Sequence, residues 1–175
     1  QFAGAEMIAQ KHGFSREMLD EYSLRSHKRA AAAADAGAFD QEIVPIEVPD
    51  GDGGTMMHTR DEGIRADASM EGLAGLKTLQ EGGVITAGNA SQICDGSSAV
   101  LVASEAAVKK YGLTPIARIH HMSVTGGDPV IMLEEPLFAT EKALKRAGMK
   151  IDDIDLYEVN EAFAPVPMAW LKHLG

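Results

Sequence analysis

One stretch constrains the fold more than any other: Gly82 to Ser104, GGVITAGNASQICDGSSAVLVAS. Its first part, Thr86-Ala87-Gly88-Asn89-Ala90-Ser91, is a run of small residues over which a ligand can lie directly on the backbone, with Asn89 and Ser91 adding short hydrogen-bonding groups. Its second part, Ala99-Val100-Leu101-Val102-Ala103, is apolar without alternation, the pattern of a strand covered on both faces. A small-residue loop feeding a buried strand is a common ligand position in α/β folds. The structural alternative is a tight connection that needs its glycines only for turns.

The flanking segments read as helices with a few short strands. Residues 4–12 put Ala5, Ile8 and Ala9 on one helical face and stop at Gly13. Ser15 is placed to cap a second helix to about Ala36; its acidic residues come early and Arg25, Lys28 and Arg29 later, which suits the helix dipole. The basic run Arg25 to Arg29 reads as a solvated helix face rather than a phosphate site. Ile43 to Val48 suits a short strand that Pro45 pushes to an edge, followed by a turn over Asp50 to Gly54. Ser69 caps a helix to about Lys77, with Met70, Leu73 and Leu76 as its apolar face. Ser104 caps another to Tyr111, and Pro136 opens one to Ala147. Strands are expected at 116–121 and 154–159, the second delivering Asn160 to the start of the next segment. Alternating strands and helices mean an α/β class, with the first 85 residues as a mostly helical layer.

Charge and cysteine content exclude several function classes. Sixteen basic against 26 acidic residues give a net charge of −10, which argues against general nucleic-acid binding but not against an anionic ligand held by a few local cations. No run of eighteen apolar residues is present, so no membrane-spanning helix is expected. The single cysteine, Cys94, allows no internal disulfide and fits a reducing compartment; a cytoplasmic location is expected, or an organelle if a targeting segment has been removed. Cys94 reads as a small packing residue. His120 and His121 would point to opposite faces of a strand, and no other histidine has ligand-like spacing, so no metal is expected.

DEGIR at 61–65, TAGNASQICDGSSAV at 86–100 and VNEAFA at 159–164 resemble, in that order, the corresponding segments of the thiolase family, the acetyl-CoA acyltransferases. QFAGAEMIAQKHGFSREMLDEYSLRSHKRA at the start and KALKRAGMKIDDIDLYE before VNEAFA agree, so the resemblance covers essentially all 175 residues. It implies a thiolase-like α/β fold: residues 1–85 as a helical loop domain, 86–121 as the end of a first α/β half, and 122–175 as the start of a second. The implied activity is CoA-dependent cleavage of 3-ketoacyl-CoA, or the reverse Claisen condensation, through an acyl-cysteine; β-oxidation of fatty acids is the implied setting. Coenzyme A and acyl-CoA would be substrates, with no permanently bound cofactor, and the complete protein would be a homodimer or homotetramer. The family takes its nucleophilic cysteine from an upstream segment and a histidine and second cysteine from downstream ones. The chain therefore reads as a middle segment, expected to be inactive alone.

The resemblance assigns site residues by position. Asn160 would hold the water of an oxyanion hole; a helix N-cap is its structural alternative. Ala87, Gly88 and Ser91 would contact the pantetheine arm, and Arg65 the nucleotide end of CoA unless it only pairs with Asp61 or Glu62. Ala162 and Phe163 would flank the pantetheine tunnel, although Phe163 equally suits a core. Pro165 and Pro167 depart from the family pattern and are expected to delay or kink the following helix. Two rivals remain: a thiolase-like acyl-CoA-binding protein without turnover, and a mononucleotide-binding domain, for which no GxGxxG or P-loop pattern is present.

Overall fold

A computed structural model describes residues 1–175. Helix α1 (Phe2–His12) buries the predicted stripe of Ala5, Ile8 and Ala9 and ends at Gly13, whose φ of 71° is a left-handed conformation that a glycine adopts without steric cost. Helix α2 (Arg16–Asp35) begins where Ser15 Oγ accepts from the Met18 amide at 3.2 Å. The hairpin β1 (Ile46–Pro49) and β2 (Thr55–His58) pairs Ile46 with His58 and Val48 with Met56. Asp50 Oδ1 closes its turn, accepting from the Asp52 and Gly54 amides at 2.9 Å each. The strand starts three residues later than expected because the Ile43 amide is still engaged with the Phe39 carbonyl, 3.0 Å away.

Four helices complete the chain: α3 (Met70–Ala74), α4 (Glu105–Tyr111), α5 (Glu135–Ala147) and α6 (Pro165–Leu174). Ser69 and Ser104 cap α3 and α4 as expected, and Pro136 lies in the first turn of α5. The two prolines do delay the last helix: α6 starts at Pro165, five residues after Asn160.

The core joins both ends of the chain. Ala5, Ile8 and Ala9 of α1 meet Ala164, Val166, Ala169 and Trp170 at α6, with Leu19, Ile85, Leu137 and Phe163 filling between them. Full burial of Ile8, Leu19 or Ile85 contributes about 1.5–3 kcal/mol each. A buried carboxylate pins the same junction. Glu134 accepts from Lys11 Nζ at 2.8 Å and lies 3.0 Å from His12 Nε2. Burial pushes its carboxyl pKa up, but the hydrogen bonds and the charges of Lys11 and His12 together outweigh that and hold it below the ordinary glutamate value.

Three expected strands do not form. Residues 99–103, 116–121 and 154–159 carry no sheet pairing, and β1–β2 is the whole sheet. Val100, Leu101 and Val102 are 87%, 78% and 71% exposed, and Ile116 and Leu156 are exposed as well. The reason is that a strand exists only through its neighbours: a continuous apolar run marks a segment fit for burial, yet no segment of this chain pairs with these. Cys94 shares that exposed stretch, so it is not a packing residue here. His120 and His121 are likewise exposed and outside any strand. No helix is long and apolar enough to cross a membrane.

Candidate functional site

The small-residue loop is held by side chains from elsewhere in the fold. Glu6 of α1 accepts from the Val84 amide at 3.0 Å and the Ile85 amide at 2.9 Å, fixing the loop's entry. Asn89 then closes the turn on itself: its Oδ1 accepts from the Thr86 amide at 2.9 Å while its Nδ2 donates to the Val84 carbonyl at 3.0 Å. The same Nδ2 donates to Asp20 Oδ1 of α2 at 2.9 Å. Asp20 is paired in turn with Arg16 Nε at 2.6 Å, and the Arg16 guanidinium donates to the Leu73 and Leu76 carbonyls at the end of α3. Asp20, Thr86 and Asn89 are all at most 2% exposed, so this network is a buried one with its polar groups satisfied.

The loop leaves the turn alongside the 159–164 segment. The Ala164 amide donates to the Asn89 carbonyl at 2.9 Å and the Ser91 amide to the Ala162 carbonyl at 2.8 Å, an isolated antiparallel bridge centred on Ala90 and Phe163. Together with α2 they enclose a small open cleft lined by polar groups, among them Ser26, His27, Asn89, Ser91 and Glu161. Ser26 Oγ donates to Glu161 Oε2 at 2.9 Å. Burial pushes the Glu161 carboxyl pKa up, and the Ser26 hydroxyl only partly offsets it. The His27 imidazole is pushed down by burial and then by the nearby Arg65 guanidinium. Its Nδ1 accepts from the Arg65 amide at 3.1 Å, which places a neutral ring's proton on Nε2. Lys28 Nζ donates to the Ala66 carbonyl at 2.8 Å, so α2 grips the 65–66 segment twice.

Six of the seven sequence-predicted residues surround this cleft or adjoin residues that do. Gly88 and Ser91 line it, Ala87 is exposed between the turn and the cleft, Ala162 is bonded to Ser91, Arg65 is tied to His27, and Asn160 precedes Glu161. Phe163 points elsewhere. It is 5% exposed and packs edge-to-face on Phe2, with ring centroids 5.7 Å apart, so in this structure it is a core residue. Asn160 is exposed and is not a helix cap, because the N-cap position of α6 is Ala164. Arg65 makes no ion pair with Asp61 or Glu62; Asp61 instead accepts from the Gly63 amide at 2.7 Å.

Sequence reading missed Asp20, Ser23, Ser26, His27 and Glu161. The signal was present in α2: polar residues at 20, 23 and 27 recur at helical spacing along a face that also carries Leu19 and Ala31, both buried. Polar groups on a buried stripe need partners, and such a stripe marks a contact rather than a solvated face.

Known proteins with this arrangement are thiolases. The family profile described as "Thiolase, N-terminal domain" matches residues 2–106, and "Thiolase, C-terminal domain" matches 113–175. The steroid 3-ketoacyl-CoA thiolase FadA6 of Mycobacterium tuberculosis is 55% identical over 174 residues, 99% of this chain and 41% of that protein. The 3-ketoacyl-CoA thiolase of Photobacterium profundum is 48% identical, over 98% of this chain and 45% of its own length. The chain thus spans less than half the length of the curated relatives it matches. Among solved structures, human mitochondrial 3-ketoacyl-CoA thiolase superposes with a TM-score of 0.93 at 46% identity, covering 98% of this chain and 44% of that one. A structure of the human mitochondrial enzyme in complex with CoA gives 0.90 at 46% identity, covering 98% of this chain and 42% of that one. The Bacillus anthracis acetyl-CoA acetyltransferase gives 0.92 at 41% identity, over 99% and 44% of the two chains. The superpositions cover nearly the whole chain, unpaired segments as well as helices, so the thiolase-like α/β fold holds along it, and with both profiles matched the conclusion is direct: this chain belongs to the thiolase family.

Proposed function

We propose that this chain supplies the coenzyme A-binding part of a thiolase, an acyltransferase that cleaves 3-ketoacyl-CoA with CoA or runs the reverse condensation through an acyl-cysteine. The observation that carries the reading is the pairing of the 86–91 loop with the 159–164 segment beside one polar cleft, with Arg65 anchored to His27 of the same cleft. The pantetheine arm would lie over the exposed Ala87 and the half-buried Gly88 toward Ser91, where small residues allow close approach to the backbone. The Arg65 guanidinium would meet the phosphates, a local cation in a chain of net charge −10. Asn160 would orient a water toward the thioester oxygen, where negative charge develops as the tetrahedral intermediate forms. Its exposed side chain is available for that, being free of any capping duty at α6.

The relatives' names support 3-ketoacyl-CoA as the substrate class, and the steroid-specific name of the 55% identical relative makes a bulky acyl group worth testing beside a short one. A cytoplasmic homodimer or homotetramer acting in β-oxidation completes the proposal. The natural full-length protein should consume acetoacetyl-CoA, or a bulkier 3-ketoacyl-CoA, only when CoA is added, with ping-pong kinetics; residues 1–175 alone should not. Tight CoA binding with no turnover on any 3-ketoacyl-CoA would favour an acyl-CoA-binding protein instead.

A further inference from the structure

The two segments that meet at the cleft are each held by an α2 side chain, Asp20 behind the cleft and Ser26 on its wall. Asp20 holds the loop: its carboxylate takes the Asn89 amide at 2.9 Å, and Asn89 is the residue whose side chain closes the Thr86–Asn89 turn. Further along the same helix, Ser26 holds the other segment through Glu161, 2.9 Å away and adjacent to Asn160. Asp20 is 2% exposed and braced by Arg16, which is itself fixed to two carbonyls of the 73–76 region. The anchor is therefore stiff, and the loop it holds carries the backbone that Ser91 presents to Ala162.

We infer that Asp20 and Ser26 are positioning residues, Asp20 setting the pantetheine loop for CoA binding and Ser26 setting the 159–164 segment for turnover. The inference rests on the proposed function and adds to it a division of labour along one helix. Asp20 acts on the loop chiefly through Asn89, so its loss frees the 86–91 backbone while Ser26 still holds the second segment to α2 through Glu161. Ser26 acts on Glu161 and leaves the Asn89 turn untouched.

The test uses the natural full-length protein with Asp20→Ala, Asp20→Asn and Ser26→Ala, measuring KM for CoA, kcat for thiolysis of acetoacetyl-CoA and melting temperature. Misplacing a binding backbone by a fraction of an ångström raises KM, so Asp20→Ala is expected to raise KM for CoA about tenfold with kcat within about twofold of the parent. Asp20→Asn keeps a carbonyl to accept from Asn89 and should recover most of that affinity. Ser26→Ala should show the reverse split, kcat down about tenfold at nearly unchanged KM. Asp20→Ala and Ser26→Ala that melt lower yet keep the parent KM and kcat would overturn the inference alone, because a purely structural anchor changes the folded fraction and not the folded site. If Asp20→Ala does not fold, Asp20→Glu, which keeps the charge for Arg16 but displaces the carboxylate from Asn89, takes its place: equal effects on KM and kcat in it and in Ser26→Ala would overturn the inference. A parent that neither binds CoA nor turns over would overturn the proposed function itself, and this inference with it.

Discussion

The Ser91 amide donates to the Ala162 carbonyl at 2.8 Å, and through that bond two motifs from distant parts of the sequence lie side by side. The bond makes the loop and the NEAFA segment one unit. Each segment nevertheless keeps its own anchor on α2, the loop through Asn89 and Asp20 and the NEAFA segment through Glu161 and Ser26.

Gly88 is a packing requirement as well as a ligand position. A Cβ built there would stand 2.5 Å from Leu73 Cδ2 and 2.7 Å from Leu76 Cδ1. Gly88→Val should therefore cost about 1–3 kcal/mol of stability by overpacking, in addition to any loss of CoA affinity. Ala87 is exposed, and Ala87→Val should weaken CoA binding with stability changed by no more than about 0.5 kcal/mol. Urea denaturation and CoA titration of both variants check this; a fully stable Gly88→Val would contradict the packing.

Asn160→Ala should cost turnover rather than stability. A direct oxyanion donor is worth ~10²–10³ in kcat, and a water-mediated one should fall at or below the lower end. With Ala164 at the N-cap of α6, no capping energy is at stake, and the melting temperature should stay close to the parent's. An unchanged kcat in the folded variant would remove Asn160 from the mechanism, and Asn160→Asp should be worse than Ala because a carboxylate repels the developing oxyanion.

The Arg65 guanidinium should be legible in the titration of His27. Burial is the larger cause of the depressed imidazole pKa and Arg65 the smaller, so in Arg65→Ala the His27 pKa should rise yet stay below the ordinary histidine value. NMR titration of the His27 ring measures it. No movement would place the guanidinium away from the cleft and weaken its assignment to CoA.

Glu161 should give the protein a specific pH dependence. Its folded pKa is raised by burial, so the contribution of Glu161 to stability is fully present below the unfolded glutamate pKa and is lost as pH rises through the folded value. Glu161→Gln keeps an acceptor for Ser26 and removes the titration. Denaturation of both proteins from about pH 4 to about pH 8 should show the variant gaining on the parent as pH rises above the ordinary carboxylate range. A gap that opens in the other direction would mean that the carboxylate is stabilised where it sits.

The sequence by itself determined the helices and the family. Serines 15, 69 and 104, Pro136 and the glycines at 13, 112 and 148 act within a few residues of themselves, so the ends they set are readable without knowing the fold. The motifs likewise named Gly88 and Ser91 in the cleft and Ala87, Ala162 and Asn160 beside it, because a small-residue loop and an asparagine at a segment end are local features. Tertiary structure alone decided the rest. Whether 99–103 pairs as a strand depends on neighbours, and a run of apolar residues cannot supply its own. That Phe163 turns into the core against Phe2, and that Asp20 and Ser26 reach across the fold to Asn89 and Glu161, follows from contacts spanning 69 to 135 residues and more, which no local pattern encodes. A buried polar side chain is stable only where its partner is, and the partner is chosen by the fold.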